Sequence, residues 1–249
     1  MNLVSLAPAN TQILLDLGLE KDIAACTRFC PAFPGRDKLV AGGWLDVDTD
    51  KIAAMHPGLV LTSHSLQDAI THQLMERNVP VVQLNPKNFH DILESYLAVG
   101  KLVGCLERAQ EKVTRMSEQF NEFLAKTKGV EKIPAYIEEW PSPPMASGNW
   151  VPDIANAAGF QTLLNAGEPS REVSLDELKQ FAPRLIILSW CGYGDKADPG
   201  KVRARDGWLQ LAPVKENRVH VLHDDCLNAP DSRLLKGLQE LFTLRESLG

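Results

Sequence analysis

The 249-residue chain has no apolar run approaching the ~20 residues that a membrane-spanning helix needs, so no membrane insertion is expected. It also lacks basic excess. Its 26 Lys and Arg stand against 32 Asp and Glu, for a formal net charge of −6, and the basic residues are scattered. Nothing therefore draws the chain to nucleic acid or anionic lipid. Cysteine is sparse and odd in number: Cys26, Cys30, Cys105, Cys191 and Cys226, with no CxxC pair. That fits a reducing compartment better than a disulfide scaffold. The Cys26/Cys30 spacing has no second Cys or His pair beside it to complete a zinc site, and it reads as a strand end with one buried thiol. The six histidines show no HxH or HExxH spacing, so no metal site is expected, although His64, His223, Glu139 and Asp225 all fall near predicted strand ends. Met1 leads within two residues into the apolar run Leu3 to Leu6, which is not a signal-peptide pattern. A cytoplasmic chain is expected, or a periplasmic or cell-surface one if a leader has been removed.

What is present is repetition. "VDTDKIAAMHPGLVLTS" (47–63) and "VSLDELKQFAPRLIILS" (173–189) align without a gap: Asp50 on Asp176, Ile52 on Leu178, Met55 on Phe181, Pro57 on Pro183, Ser63 on Ser189. In each copy Asp48 or Ser174 can N-cap a short helix, a proline follows its end, and an apolar β-branched run reads as a buried strand. The likeness extends outward. Strand 2–6 with helix 11–17 resembles strand 133–137 with helix 152–158, and "VPVVQL" resembles "RVHVL", each ahead of a further helix. Alternating strands and helices give two similar α/β lobes with parallel sheets.

Between the copies, Leu106, Ala109, Val113, Met116, Phe120 and Phe123 recur at steps of three and four, with Gly104 before them and Gly129 after. This predicts one helix of about 33 Å at ~1.5 Å per residue. The expected organisation is an N-terminal lobe over 1–104, a connecting backbone helix over 105–129 and a C-terminal lobe over 130–249, with a ligand cleft between the lobes.

In parallel α/β sheets, ligands sit beyond the carboxyl ends of the strands. The loops there carry the sequence's unusual composition. "EEWPSPPMASGNW" (138–150) holds two tryptophans, two acids and four prolines or glycines, and "SWCGYG" follows the strand of the second repeat. Together these place Trp140, Trp150, Trp190 and Tyr193 on one predicted lip. Phe29 and Trp44, the latter in the glycine loop "AGGWLD", belong to the other lobe. Flat side chains of this kind suit a large, planar, partly apolar ligand; the alternative is that some of the tryptophans fill the lobe cores.

"NLVSLAPANTQILLDLGL", "CTRFCPAFP", "GGW" with "DTDKIAAMHPGLVLTS", "GNWVPDIANAAGF", "VSLDELKQFAPRLIILSWCGYG" and "GWLQLAPVKENRVHVL", in order along nearly the whole chain, resemble the helical-backbone (class III) substrate-binding proteins of ABC importers, specifically their cobalamin-binding branch. "EEWPSPPMASGNWVP" and "CGYG" are similar to a subgroup of that branch that often lacks a secretion signal. The resemblance implies a corrinoid such as cobalamin as ligand, with Trp44 against the corrin ring, Asp225 and Arg233 as polar contacts, and Trp190 and Tyr193 on the facing loop. It also implies docking of Asp50 and Asp176 onto arginines of an ABC permease. On their own chemistry these acids stabilise helix N-termini by ~0.3–1 kcal/mol each. Two departures stand out: the family's "PDLV" is Pro57-Gly58-Leu59-Val60, and its tyrosine-containing loop is Arg28-Phe29-Cys30-Pro31. Haem or an iron-siderophore complex are the alternative ligands on the same fold.

A rival from another class is an enzyme in which Cys191, beside Gly192 after a strand, is nucleophile and Glu139 the acid-base group. No histidine accompanies Cys191 locally. The expectation is therefore a monomeric binding protein without chemistry or catalytic cofactor, holding its ligand through Phe29, Trp44, Glu139, Trp140, Trp150, Trp190, Cys191, Tyr193, Asp225 and Arg233.

Overall fold

The computed structural model describes residues 1–35 and 40–248. The residues separate into two units, Met1–Pro86 with His90–Arg115, and Lys87–Phe89 with Met116–Gly249. Together they form a two-lobe α/β fold built on parallel sheet.

In the first unit the chain runs β1 (Leu3–Ser5), α1 (Pro8–Asp16), β2 (Ile23–Cys26), α2 (Thr49–Ala54), β3 (Leu59–Ser63), α3 (Asp68–Glu76), β4 (Val81–Leu84) and α4 (Phe89–Leu102). The sheet order is β2-β1-β3-β4, every pair parallel. β1 and β3 are buried at every position, which is why they read as continuous apolar runs rather than alternating ones. Val4, Ala25 and Val60 meet Ile52 of α2 and Leu74 of α3 in one core. Each Val, Ile or Leu side chain buried in this way contributes about 1.5–3 kcal/mol.

The second unit begins with the C-terminal half of α5 (Leu106–Lys126) and continues through β5 (Ile133–Pro141), β6 (Pro144–Ala146), α6 (Val151–Ala157), β7 (Phe160–Gln161), β8 (Arg171–Glu172), α7 (Leu175–Phe181), β9 (Leu185–Leu188), α8 (Pro199–Arg203), α9 (Ala212–Lys215), β10 (Val219–Val221) and α10 (Leu234–Glu246). Ala109, Met116 and Phe123 of α5 are buried at heptad spacing. Phe123 packs edge-on against Phe242 of α10, with ring centroids 5.2 Å apart. The sheet order is β10-β9-β5-β6-β8, with β7 also on β5. The β10, β9, β5 and β7 pairings are parallel.

The repeat takes the form its sequence suggested. α2 and α7 are N-capped by Asp48, accepting from Lys51 N at 2.9 Å, and by Ser174, accepting from Glu177 N at 3.2 Å. Each leads into a buried strand, β3 or β9. The tryptophan-rich stretch corrects the expectation of a loop. Residues 138–141 continue β5, and 144–146 return as β6 in an antiparallel hairpin, so the second sheet is mixed. Its turn holds a cis Ser142–Pro143 peptide.

Candidate functional site

At the carboxyl ends of the first unit's strands, three segments carry exposed or half-exposed apolar side chains: Phe29, Leu45 and Leu66, with Trp44 half-buried. Phe29 follows β2 on a turn closed by Cys30 N donating to Thr27 O at 3.1 Å, and it is 60% exposed. Arg28 pairs with Asp46 at 2.7 Å across to the glycine loop. That guanidinium holds the Asp46 carboxyl below its ordinary range, mainly through the hydrogen bond. The same loop needs its glycine: Gly42 has φ +137°, and a Cβ there would lie 2.6 Å from Asp46 O.

Trp44 is oriented by a residue the sequence gave no sign of. Gln67 is wholly buried; its Nε2 donates to Trp44 O at 2.7 Å and to Leu6 O at 2.8 Å, while its Oε1 accepts from Ser63 N at 2.7 Å. One amide thus ties the glycine loop to the ends of β1 and β3. His64, with φ +53°, lies 6.4 Å from the Trp44 ring, centroid to centroid.

In the second unit the hairpin and the loop after β9 form an aromatic ladder. Trp140, 40% exposed, meets Tyr193 edge-on at 6.5 Å, and Tyr193 meets Trp190 at 5.3 Å. Trp190 corrects the expectation of a ring on the lip. It is fully buried in the cluster with Tyr136, Ile186, Leu188 and Trp208, and its Nε1 donates to Glu138 Oε1 at 2.8 Å. Its face follows from strand parity, since 186, 188 and 190 alternate onto one side.

Glu138, wholly buried, is the anchor of this lip. Arg205 donates to both carboxylate oxygens at 2.7 and 2.8 Å and to Pro141 O at 2.7 Å, while Tyr136 Oη donates to Oε2 at 2.9 Å. Every carboxylate oxygen is therefore satisfied twice. The neighbouring Glu139 points to the other face. Its Oε2 accepts from Ser170 Oγ at 2.7 Å, and burial pushes its pKa up.

Trp150 is half-buried and donates from Nε1 to Leu227 O at 2.7 Å. Arg233 bridges exposed Asp225 at 2.8 Å and buried Asp231 at 2.7 Å, so it braces the segment after β10. His223 Nδ1 accepts from Asp225 N at 3.2 Å, and Asp224 Oδ2 accepts from Gly192 N at 2.6 Å. Among the described residues, His223, Asp224 and Asp225 bring ligand atoms within 4.8 Å of one another, and Glu139 is not part of that group.

Cys191 is exposed along its surface, yet its thiol is pushed up to about 12, by desolvation first and then by the charges of Glu139 and Asp224. A thiol in that state is not a thiolate at neutral pH. The two residues are joined by backbone, Cys191 N donating to Glu139 O at 3.0 Å, and the charge of Glu139 disfavours the thiolate that a nucleophile needs. Asp50 and Asp176 stand exposed in the first turns of α2 and α7, paired with Arg77 at 2.6 Å and Lys179 at 3.6 Å. No helix among the described residues is long and apolar enough to cross a membrane.

Residues 3–226 match the sequence profile of a family described as "Periplasmic binding protein". A relative in Bacillus subtilis, the uncharacterized ABC transporter substrate-binding lipoprotein YvrC, is 24% identical, covering 96% of this chain and 78% of the relative. Among solved structures, the chain is similar to Staphylococcus aureus IsdE complexed with heme, at TM-score 0.84 and 17% identity over 98% of both chains. It is also similar to the periplasmic vitamin B12 binding protein BtuF of Vibrio cholerae, at TM-score 0.79 and 18% identity over 97% of this chain and 94% of that one.

Proposed function

Because the chain belongs to the periplasmic binding protein family, we propose that it is the solute-binding component of an ABC-type importer and that its ligand is a corrinoid. The observation that carries this reading is the placing of Phe29, Trp44, Leu45 and Leu66 in one unit, and of Trp150 and Tyr193 in the other, on segments that follow strand ends, with Trp140 on the β5–β6 hairpin beside Tyr193. Rings on otherwise polar loops suit a large planar ligand with apolar faces.

The charges on these loops favour a corrinoid over haem. Arg28 and Arg233 are each committed to acids, and burial raises the pKa of Glu139, which disfavours its charge. A rim of neutral carboxamides, such as a corrinoid carries, pairs with such groups, whereas the carboxylates of haem call for uncommitted cations. Haem keeps one supporting observation: an exposed imidazole, His223, stands on the segment after β10 as a candidate axial ligand. Asp50 and Asp176 serve this role as permease-docking acids. The role suits an extracytoplasmic location, like that of a lipoprotein; intracellular handling of the same ligand is the alternative.

Tryptophan fluorescence tests the reading. Titration with hydroxocobalamin is expected to quench at one site with micromolar or tighter affinity, and Trp44→Ala and Trp140→Ala are each expected to weaken it by about tenfold or more. Unchanged affinity in both variants would remove the aromatic loops from the site.

A further inference from the structure

Cys26 and Cys30 are not used by ligand binding as described, yet the hydroxyls of Thr11 and Thr27 gather on one of their sulphurs. Cys26 ends β2, and Cys30 ends the turn that follows. Both are reduced and buried, and their thiols are hydrogen-bonded to one another. Two hydroxyls converge on the Cys30 sulphur, Thr11 Oγ1 at 2.9 Å and Thr27 Oγ1 at 3.2 Å. Thr11 Oγ1 also lies 2.7 Å from Ser5 Oγ.

We propose that Cys26 and Cys30 form a thiol–disulfide exchange site, reactive toward small-molecule disulfides, that closes reversibly to an intramolecular disulfide. Cys30 is the attacking thiol, because its sulphur collects the hydrogen bonds that stabilise a thiolate. Its pKa is brought down to about 6, first by the hydrogen bond from Cys26, against the opposing effect of burial, and then by Thr11 and Thr27. Cys191 and Cys226 go the other way, to about 12 and about 11, with burial as the leading cause.

The exchange balances in two steps. The Cys30 thiolate attacks one sulphur of the small disulfide, whose S–S bond breaks; one half leaves as a thiolate and takes up a proton. Cys26 then gives up its proton as its sulphur attacks Cys30 Sγ, and the second half leaves as a thiol. Two protein thiols are oxidised and one small disulfide is reduced to two thiols. Since both sulphurs are buried, the reagent enters when the turn lifts. The turn is a short surface segment, held by the Thr27–Cys30 hydrogen bond, by Arg28 N donating to Gly42 O at 2.9 Å and by the Arg28–Asp46 pair. Phe29 rides on this turn, so oxidation would also fix one wall of the ligand loops, a consequence that rests on the function proposed above.

The disulfide itself is tested without ligand. The full chain is equilibrated with oxidised glutathione, quenched by alkylation, digested and mapped by mass spectrometry. A Cys26–Cys30 linkage that reduced glutathione reverses is the expected result, and Cys26→Ser is expected to retain one glutathione on Cys30. Recovery of Cys26 and Cys30 both alkylated, or linkage of a different pair, would overturn the proposal. Should Cys26→Ser fail to fold, the wild-type map alone decides. Affinity for hydroxocobalamin that is equal in both redox states would sink only the effect on the ligand loops.

Discussion

Arg205 is 67 residues from Glu138 in sequence, and their pairing makes a quantitative prediction. Glu138 is wholly buried, and Arg205 supplies two of the four hydrogen bonds to its carboxylate. Arg205→Met keeps most of the aliphatic bulk over Trp208, whose ring lies 4.3 Å from the guanidinium carbon, but leaves a buried carboxylate with no cation. Breaking a buried pair in this way costs about 3–5 kcal/mol. At about 2–4 °C per kcal/mol for a chain of this size, the melting temperature should fall by roughly 6–20 °C. The double variant Arg205→Met/Glu138→Gln removes the stranded charge and should recover part of that loss. Urea unfolding of the two single variants and the double gives the coupling directly. A loss under about 1 kcal/mol in Arg205→Met, or strict additivity in the double variant, would refute the idea that this pair anchors the hairpin.

Gln67→Ala strands three backbone groups and should lower the unfolding free energy by about 2–4 kcal/mol, measured in urea, with ligand affinity falling as Trp44 loses its support. Phe29→Ala, at an exposed ring, should leave stability within about 0.5 kcal/mol of wild type while weakening ligand binding; a melting curve paired with a titration separates the two. Because burial raises the pKa of Glu139, the native state binds that proton more tightly than the unfolded chain. Its contribution is fully present below the ordinary carboxylate range and is lost as pH rises through the raised value. Across this window the unfolding free energy of wild type should therefore fall with pH relative to that of Glu139→Gln, the difference between the two isolating this group from carboxylates such as Asp46 whose pKa is lowered.

The parts of this molecule that were legible in the sequence are those written in short-range pattern. The gapless match of 47–63 with 173–189 corresponds to two capped helices leading into buried strands, because a cap, a stop and an apolar run are all local signals. Of the six apolar positions read along α5, Ala109, Met116 and Phe123 are buried, Val113 and Phe120 partly so, and Leu106 at the first turn is exposed, so the spacing reported most of that face. Long-range pairing was not legible. The hairpin of β5 and β6 hid behind three prolines that sit at its turn and strand ends, where the sheet tolerates them. Gln67 meets partners at Leu6 and Trp44 that nothing adjacent to it announces. Trp190 was readable in principle: extending the parity of Ile186 and Leu188 by one step puts its ring in the core.

The central claim is that these loops hold a corrinoid, and calorimetric titration of the purified protein with cobalamin, with haem run under the same conditions, tests it most directly. The account predicts one site of micromolar or tighter affinity for cobalamin and markedly weaker binding of haem. Tight binding of haem with no heat from cobalamin would contradict it and transfer the role to His223 as an axial ligand.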